Sequence, residues 1–186
     1  MNKTDRKKWH WFNEELVRLA EVLIKEHSNM PMTFSILDDQ GNYHTYMMDH
    51  KDTQEKMRCY RVVSGLMGIL NSNALCVMSE VWISKQDADE ERKYSEPRLD
   101  PNRTEGFIKF VRMNDKRRIE FYDIEKDRTI KRNRTADGAE ISTPNFDNIF
   151  ANIPKDMPFI PHDRRQKFVN KLMEMADMKM QRLDEE

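Results

Sequence analysis

The sequence has little of what marks several large protein classes. Its two cysteines, Cys59 and Cys76, both lie in apolar stretches, so we expect small reduced core residues and not a disulfide framework or a zinc site. The net charge of −1 gives no overall attraction to nucleic acid or to an anionic membrane. No run approaches the roughly 18 apolar residues of a membrane span, and the charged, amphipathic N-terminal segment is not typical of a signal peptide. These absences favour a soluble cytoplasmic protein.

Short catalytic motifs are also absent. The sequence contains no HExxH, P-loop, GxSxG or GxGxxG pattern, and it predicts neither a cofactor nor a metal site. His44, Asp49 and His50 offer ligand atoms, but six residues of strand separate the two histidines by about 20 Å, which is too far for one metal ion. We therefore expect these to be surface histidines.

The order of predicted elements is α-β-β-α-β-β-β-α over a single domain, 1–186. Consecutive strands joined by short turns favour an α+β fold, with an antiparallel sheet of about five strands and helices packed on it. The predicted elements are a helix at 4–27, strands at 33–37 and 43–48, a helix from 52, a central strand at 74–84, a long polar loop at 86–105, a hairpin of strands 106–113 and 117–125, a short edge strand at 127–133, a short helix at 144–153 and a C-terminal helix at 163–183. That last helix is predicted to bury Phe168, Leu172, Met175 and Met178.

The central strand carries one carboxylate among apolar residues. Leu75, Val77 and Val81 alternate onto one side, while the other side holds Cys76, Met78, Trp82 and, among them, Glu80. A strand that is apolar on both faces is usually buried on both. A carboxylate there must be paired, hydrogen-bonded or protonated, because burying a bare charge is prohibitive.

Two interpretations of Glu80 follow. It can form a structural ion pair with an arginine such as Arg112. Alternatively, Glu80 and Glu105 are the catalytic candidates, as metal ligands or as acid and base, with Arg103 binding phosphate. If the two strands pair antiparallel, Glu105 and Arg103 lie near the end of the central strand and not directly beside Glu80.

A local basic segment runs from Lys116 to Arg134. It holds eight Lys or Arg residues against four acidic ones, a net of +4, with Phe121 and Tyr122 interleaved. A basic hairpin with aromatic residues can follow a phosphate backbone, with Arg117, Lys131 and Arg132 as contacts. The alternative is an edge hairpin whose charges protect it against aggregation.

Aromatic residues in the first helix exceed what one core can use. Trp9 and Trp11 lie about 200° apart around a helix, so both cannot face the same core. Tryptophan is favoured as an interface anchor, so one of them is expected to contact a partner or a second subunit.

The segment Ser79-Glu80-Val81-Trp82, a polar loop with Pro97 and Pro101, and Arg103-Thr104-Glu105-Gly106 together resemble a loose group of small uncharacterised bacterial and bacteriophage proteins. The resemblance covers residues 74–113 only. It implies that Glu80, Trp82, Arg103 and Glu105 belong together, and it implies a phage or prokaryotic setting, hence host cytoplasm if phage-encoded. It implies no activity.

The leading hypothesis is a non-enzymatic phage or prokaryotic accessory protein that binds a protein partner or forms a homo-oligomer. The N-terminal aromatic helix and the loop at 86–105 are its expected contact surfaces. The alternatives are a metal-dependent enzyme acting on a phosphodiester or nucleotide through Glu80 and Glu105, and nucleic-acid binding through the basic hairpin at 116–134.

Overall fold

The computed structural model describes residues 3–26, 31–48, 52–83, 100–114, 116–137, 149–154, 156–176 and 180–183. The helices are α1 (Lys3–Glu26), α2 (Thr53–Ile69) and α3 (His162–Ala176), with a short helical segment at 149–151. The strands are β1 (Met32–Leu37), β2 (Tyr43–Met48), β3 (Ala74–Ile83), β4 (Thr104–Met113), β5 (Lys116–Ile124), β6 (Ile130–Asp137) and β7 (Met180–Leu183).

All seven strands join one antiparallel sheet, in the order β6-β5-β4-β3-β1-β2-β7. The α+β class and the antiparallel sheet are therefore confirmed, and β3 is the middle strand. The expected number of about five strands is too low. β6 corresponds to the short edge strand predicted at 127–133, whereas β7 was predicted as part of a helix, because four residues are too few to show the alternation that identifies a strand.

The C-terminal helix is shorter than predicted. α3 ends at Ala176 and not at residue 183, and residues 180–183 pair with Thr45–Met48 of β2. The free hydrogen-bonding edge of β2 gives this segment backbone partners that a continued helix would not use, so tertiary pairing overrides local helix propensity.

Two other boundaries also differ. Of the polar loop predicted at 86–105, residues 86–99 lie outside the described part, and its last two residues belong to β4. The edge strand predicted at 127–133 is β6, which begins at Ile130 and extends beyond the predicted end to Asp137.

The first face of the sheet is covered by α1. The buried α1 side chains are Phe12, Leu16, Ala20, Leu23 and Ile24, and they share a core with Leu37, Met47, Ala74, Cys76, Met78, Phe107, Val111, Met113 and Tyr122. Phe12, Leu16 and Leu23 form one apolar stripe of the helix, because residues at such spacings return to the same side, and this stripe is the buried one.

The opposite face of the sheet is covered by α2 and α3. Leu75 and Val77 of β3 point to this side, into a core with Phe34, Ile36, Phe110 and residues of both helices. Two glycines of α2, Gly65 and Gly68, allow close approach of the segments that cover this helix. A Cβ on Gly65 would lie 2.9 Å from Leu172 of α3, and one on Gly68 would lie 2.9 Å from Met157.

The predicted start of α2 and the first hairpin are confirmed. The Oδ1 atom of Asp52 accepts a hydrogen bond from the backbone N–H of Glu55 at 2.8 Å, which caps the helix. Between β1 and β2, Gly41 has a φ of 91°, the left-handed conformation that glycine adopts without steric cost.

Both cysteines are buried and free, as expected. Burial raises the pKa of the Cys59 thiol to about 11 and that of Cys76 to about 12. The thiolate is the nucleophilic form, so neither residue has the character of a reactive cysteine.

Candidate functional site

Glu80 lies beyond the fully buried part of β3 and is half-buried. It has an arginine partner, but that partner is Arg128 and not Arg112: Oε1 of Glu80 lies 3.5 Å from Nη2 of Arg128. Arg112 is far along the sheet, opposite Leu75, with its guanidinium 4.0 Å from the centroid of the Phe150 ring. The alternation of β3 thus predicted the kind of partner but not its identity.

Arg128 joins three parts of the molecule from the turn between β5 and β6. Its Nη1 donates to Oε1 of Glu105 at 3.2 Å, and its Nε donates to the carbonyl oxygen of Ile24, in the last turn of α1, at 3.1 Å. Its φ of 64° is uncommon for a residue other than glycine, so the turn holds the side chain in place at some steric cost. We call Glu80, Glu105 and Arg128 the Arg128 cluster.

Glu105 lies opposite Trp82 in the register of β3 and β4, near the end of the central strand as expected. Arg103 is exposed, and its Nη1 donates to the carbonyl oxygen of Asp100 at 3.2 Å, within the turn that leads into β4. The structure therefore brings Glu80 and Glu105 together around a guanidinium that Arg128 supplies, and not Arg103.

The chemistry of the Arg128 cluster is that of a structural tie. A guanidinium presents a planar fork of donors, which suits two carboxylates and a carbonyl at once. The position between the two carboxylates, where a catalytic cation would lie, is taken by this fork. Within the described ranges, no three His, Cys, Asp or Glu side chains are grouped so that they could hold a metal ion.

A second ion pair is buried in the sheet itself. Lys109 on β4 and Glu120 on β5 are direct cross-strand partners, are 1% and 2% exposed, and are in contact through Nζ and Oε2. The hydroxyl of Tyr122 donates to the same carboxylate at 2.7 Å. Arg118 and Arg132 lie farther out, 3.8 and 3.7 Å from its other oxygen.

The charge of Glu120 is compensated by its neighbours. Burial alone would raise the pKa of this carboxyl, but the hydrogen bonds from Lys109 and Tyr122, with the charges of Lys109 and Arg118, together outweigh burial and hold the pKa below its usual range. Burial and the neighbouring carboxylate raise the pKa of Tyr122, so its hydroxyl keeps its proton and donates.

The sequence contains a signal for the ion pair of Lys109 and Glu120, but it is visible only when the two strands are considered together. Pairing β4 with β5 around the predicted turn at 114–116 puts Lys109 directly opposite Glu120. Opposite charges at facing positions of two apolar strands predict a cross-strand ion pair.

The basic hairpin does not present one basic surface. Arg118 and Arg132 are on the α1 side of the sheet with Glu120, whereas Arg117 and Lys131 are on the α2/α3 side, as their cross-strand partners Arg112 and Asp123 are. Period-two alternation divides neighbouring basic residues between the two faces of a strand.

A third charged group, which we call the Arg165 clamp, fixes α3 to the rest of the fold. Nη1 and Nη2 of the buried Arg165 donate to the two carboxylate oxygens of Asp39 at 2.7 and 3.0 Å. Its Nε donates to the carbonyl oxygen of Ile160, and its Nη1 also donates to that of Leu70, at the C-terminal end of α2. The hydrogen bond from Arg165 is the largest influence on Asp39 and holds its pKa well below the usual range.

No pattern in the sequence distinguishes Arg165 from the arginine before it. The neighbouring hairpin residue Asp38 is also engaged: its Oδ2 lies 3.1 Å from Nε2 of His44. His44 is therefore half-buried and paired and is not the surface histidine that we expected; Asp49 and His50 lie outside the described residues.

The buried side of α3 differs from the predicted one. The residues predicted to be buried were Phe168, Leu172, Met175 and Met178, of which Met178 lies outside the described residues; we call Phe168, Leu172 and Met175 the α3 row. The buried residues are instead Arg165, Val169 and Ala176, while Phe168 is 45% exposed and Met175 is 72% exposed. Only Leu172 in the middle of the row reaches the core, against Gly65.

Trp11 is exposed on α1. It is 49% exposed, and its ring centroid lies 4.6 Å from that of Tyr43, whereas the next residue, Phe12, is buried. The side chains of Trp9 and Trp82 lie outside the described part of the structure.

Comparisons with known proteins found no matching family model, no matching curated protein and no matching solved structure. The resemblance over residues 74–113 therefore stays a prediction. Among the described helices, none combines the length and the apolar character that crossing a membrane requires.

Proposed function

We propose that this protein is a non-enzymatic accessory protein that acts by binding another protein chain, with the α3 row as its contact surface. The observation that carries the proposal is the exposure of Phe168 and Met175 on α3, a helix that already buries Val169 and Ala176 and packs Leu172 and Met173 against the core.

The two exposed residues belong to one surface. Seven residues make about two turns of helix, so Phe168 and Met175 lie on the same side of α3, with Leu172 between them leading into the core. Large apolar side chains exposed side by side are typical of protein contact surfaces. Aromatic residues and methionine are enriched at such contacts, and the flexible methionine adapts to a partner's shape.

The charged groups support binding over the two alternatives. In the Arg128 cluster, both carboxylates proposed as catalytic share a guanidinium that also ties α1 to the sheet. In the basic hairpin, Arg117 and Lys131 are on one face of the sheet and Arg132 is on the other, so these three residues do not form one track for a phosphate backbone. The resemblance over residues 74–113 supports a phage or prokaryotic setting, with the host cytoplasm as its location.

The proposal is tested by site-specific photocrosslinking in the cells that make the protein. A p-benzoylphenylalanine in place of Phe168 or of Met175 should give a covalent adduct of defined mass on irradiation. An adduct of twice the chain mass identifies a second copy, and any other mass identifies a different protein; both support a binding function.

The matched control is the same photoreactive residue in place of Phe159, which is 65% exposed but precedes α3 and is outside the α3 row. We expect no adduct of defined mass from that position. Equal labelling from all three positions, or none from Phe168 and Met175, would contradict the proposal.

A further inference from the structure

We infer that α1 is a cover that opens from the sheet as a unit while the rest of the fold stays in place, and that Arg128 holds it closed. This cover lies on the face of the sheet opposite the α3 row, and its opening does not depend on what that row contacts.

The apolar core is divided between the two faces of the sheet. Among the described residues, the cluster under α1 contains no residue of α2 or α3, and the cluster under those two helices contains no residue of α1. In the chain, α2 lies between β2 and β3, whereas the chain passes from β1 to β7 without returning to α1. Moving α1 away therefore opens one cluster and leaves the strand pairing and the other cluster in place. Separate opening of such units is a general property of folded proteins.

The surface under α1 includes charged groups that water would solvate. Lys109 and Glu120 are buried on this face, and the hydroxyl of Tyr122 donates to the same carboxylate. Burying an ion pair has a desolvation cost that can exceed the attraction between the two charges. Water that enters when α1 opens restores this solvation. Opening this face therefore costs less free energy than opening an apolar face of equal area.

Arg128 ties the end of α1 to the sheet. Its Nε donates to the carbonyl oxygen of Ile24 at 3.1 Å, in the last turn of the helix, where carbonyl groups have no partner within the helix. The same guanidinium lies 3.5 Å from Glu80 on β3 and 3.2 Å from Glu105 on β4. A positive charge at this end of a helix also interacts favourably with the helix dipole. Removing the guanidinium thus releases α1 at one end and leaves its apolar stripe unchanged.

The two cysteines report on the two faces separately. Cys76 is in the cluster under α1, Cys59 is in the opposite cluster, and both are fully buried. Global unfolding exposes both thiols, whereas opening of α1 alone exposes Cys76. The chain therefore contains a reporter for the cover and an internal control for global unfolding.

The test is labelling of the native full chain with N-ethylmaleimide, with the modified cysteine identified by peptide mass spectrometry. Cys76 should react at least about tenfold faster than Cys59, because opening of α1 requires less free energy than global unfolding. Urea should accelerate the labelling of Cys76 less steeply than that of Cys59, since opening of α1 exposes less surface.

Arg128→Gly separates the guanidinium from the turn that carries it. Glycine adopts the φ of 64° at this position without steric cost, so the turn is kept while the tie to α1 is lost. This variant should label Cys76 about tenfold faster than the wild type, the effect of losing a charge-assisted hydrogen bond, and should leave the rate at Cys59 unchanged. The matched control is Lys126→Ala, which removes an exposed charge from the same turn and should change neither rate.

Several results would overturn the inference. Equal labelling rates for Cys76 and Cys59 at every urea concentration would mean that the two faces open together, and faster labelling of Cys59 would mean that the opposite face opens first. If Arg128→Gly accelerates both thiols equally, or neither, Arg128 does not hold α1 closed. The proposed function is tested separately, by the crosslinking at Phe168, so either one can fail without the other.

Discussion

Both faces of the sheet bury charged side chains, but the layer that carries the charge differs between the two faces. On the α1 face, the buried charges, Lys109 and Glu120, belong to the sheet, and the helix above them buries its apolar stripe. On the other face the sheet residues of the core are apolar, and the buried Arg165 belongs to the helix. Because a buried charge must reach its partners, Arg165 fixes the rotation of α3, and apolar residues of α3 remain outside. Where a fold puts its buried charge thus decides which apolar side chains are left for a partner.

The comparison is tested most strongly by the same substitution on the two helices. Phe12→Ala on α1 should lower the free energy of unfolding by about 4 kcal/mol, because it empties a fully buried site. Phe168→Ala on α3 should change it by no more than about 0.5 kcal/mol in the monomer, since the side chain is exposed. Urea denaturation followed by circular dichroism measures both values.

Each variant is the other's control, because the chemical change is identical. Similar losses for Phe12→Ala and Phe168→Ala would mean that α3 buries its row, and the contrast between the two faces would be wrong.

Breaking the buried ion pair of Lys109 and Glu120 on the α1 face should lower the free energy of unfolding somewhat less than Phe12→Ala does. Glu120→Gln keeps the shape of the side chain but leaves Lys109 without a counter-charge, which should cost about 3 kcal/mol of stability. Adding Lys109→Met removes the unpaired charge and should recover much of that loss, while Gln at position 120 still accepts from Tyr122. Chemical denaturation of the two variants and of Lys109→Met alone completes a double-mutant cycle. Additive losses in that cycle would show that the two side chains are not coupled.

On the opposite face, the carboxylate of Asp39 that pairs with Arg165 should make the stability of the protein depend on pH. The pKa of Asp39 is depressed in the folded protein below its unfolded value of about 3.9. Its contribution to stability is therefore complete above that value and is lost progressively as the pH falls through the folded pKa. Asp39→Asn should cost about 2 kcal/mol at neutral pH, since two charge-assisted hydrogen bonds from Arg165 are lost or weakened.

The measurement is urea denaturation of wild type and Asp39→Asn at about pH 6 and about pH 3. The difference between the two proteins should shrink at the lower pH. A difference that stays constant or grows with acidification would show that Asp39 is not the group that titrates.

Several parts of the fold could be predicted because their causes are local. The apolar spacing of Phe12, Leu16 and Leu23 fixes the buried side of α1, and the alternation of Leu75 to Met78 makes β3 the middle strand. Asp52 and Gly41 mark a helix start and a hairpin turn through their own backbone and side-chain preferences.

The candidate sites could be predicted only in part. That Glu80 needs a positively charged partner follows from the apolar residues around it, but the partner is 48 positions away in a turn that pairing of β5 and β6 brings into reach. The pair of Lys109 and Glu120 is a simpler case, because one short turn sets their register.

The sequence by itself determined the α+β class, the antiparallel pairing around β3, the apolar side of α1 and the need to compensate charge on the central strand, since each depends on residues close together in the chain. Only the tertiary structure decided that Arg128 meets Glu80 and Glu105, that Met180–Leu183 pairs with β2, and that Arg165 reaches Asp39 and leaves Phe168 and Met175 exposed. Those outcomes depend on groups that are distant in sequence and that meet only after the chain has folded. The exposure of the α3 row is one of these outcomes that only the folded chain decides.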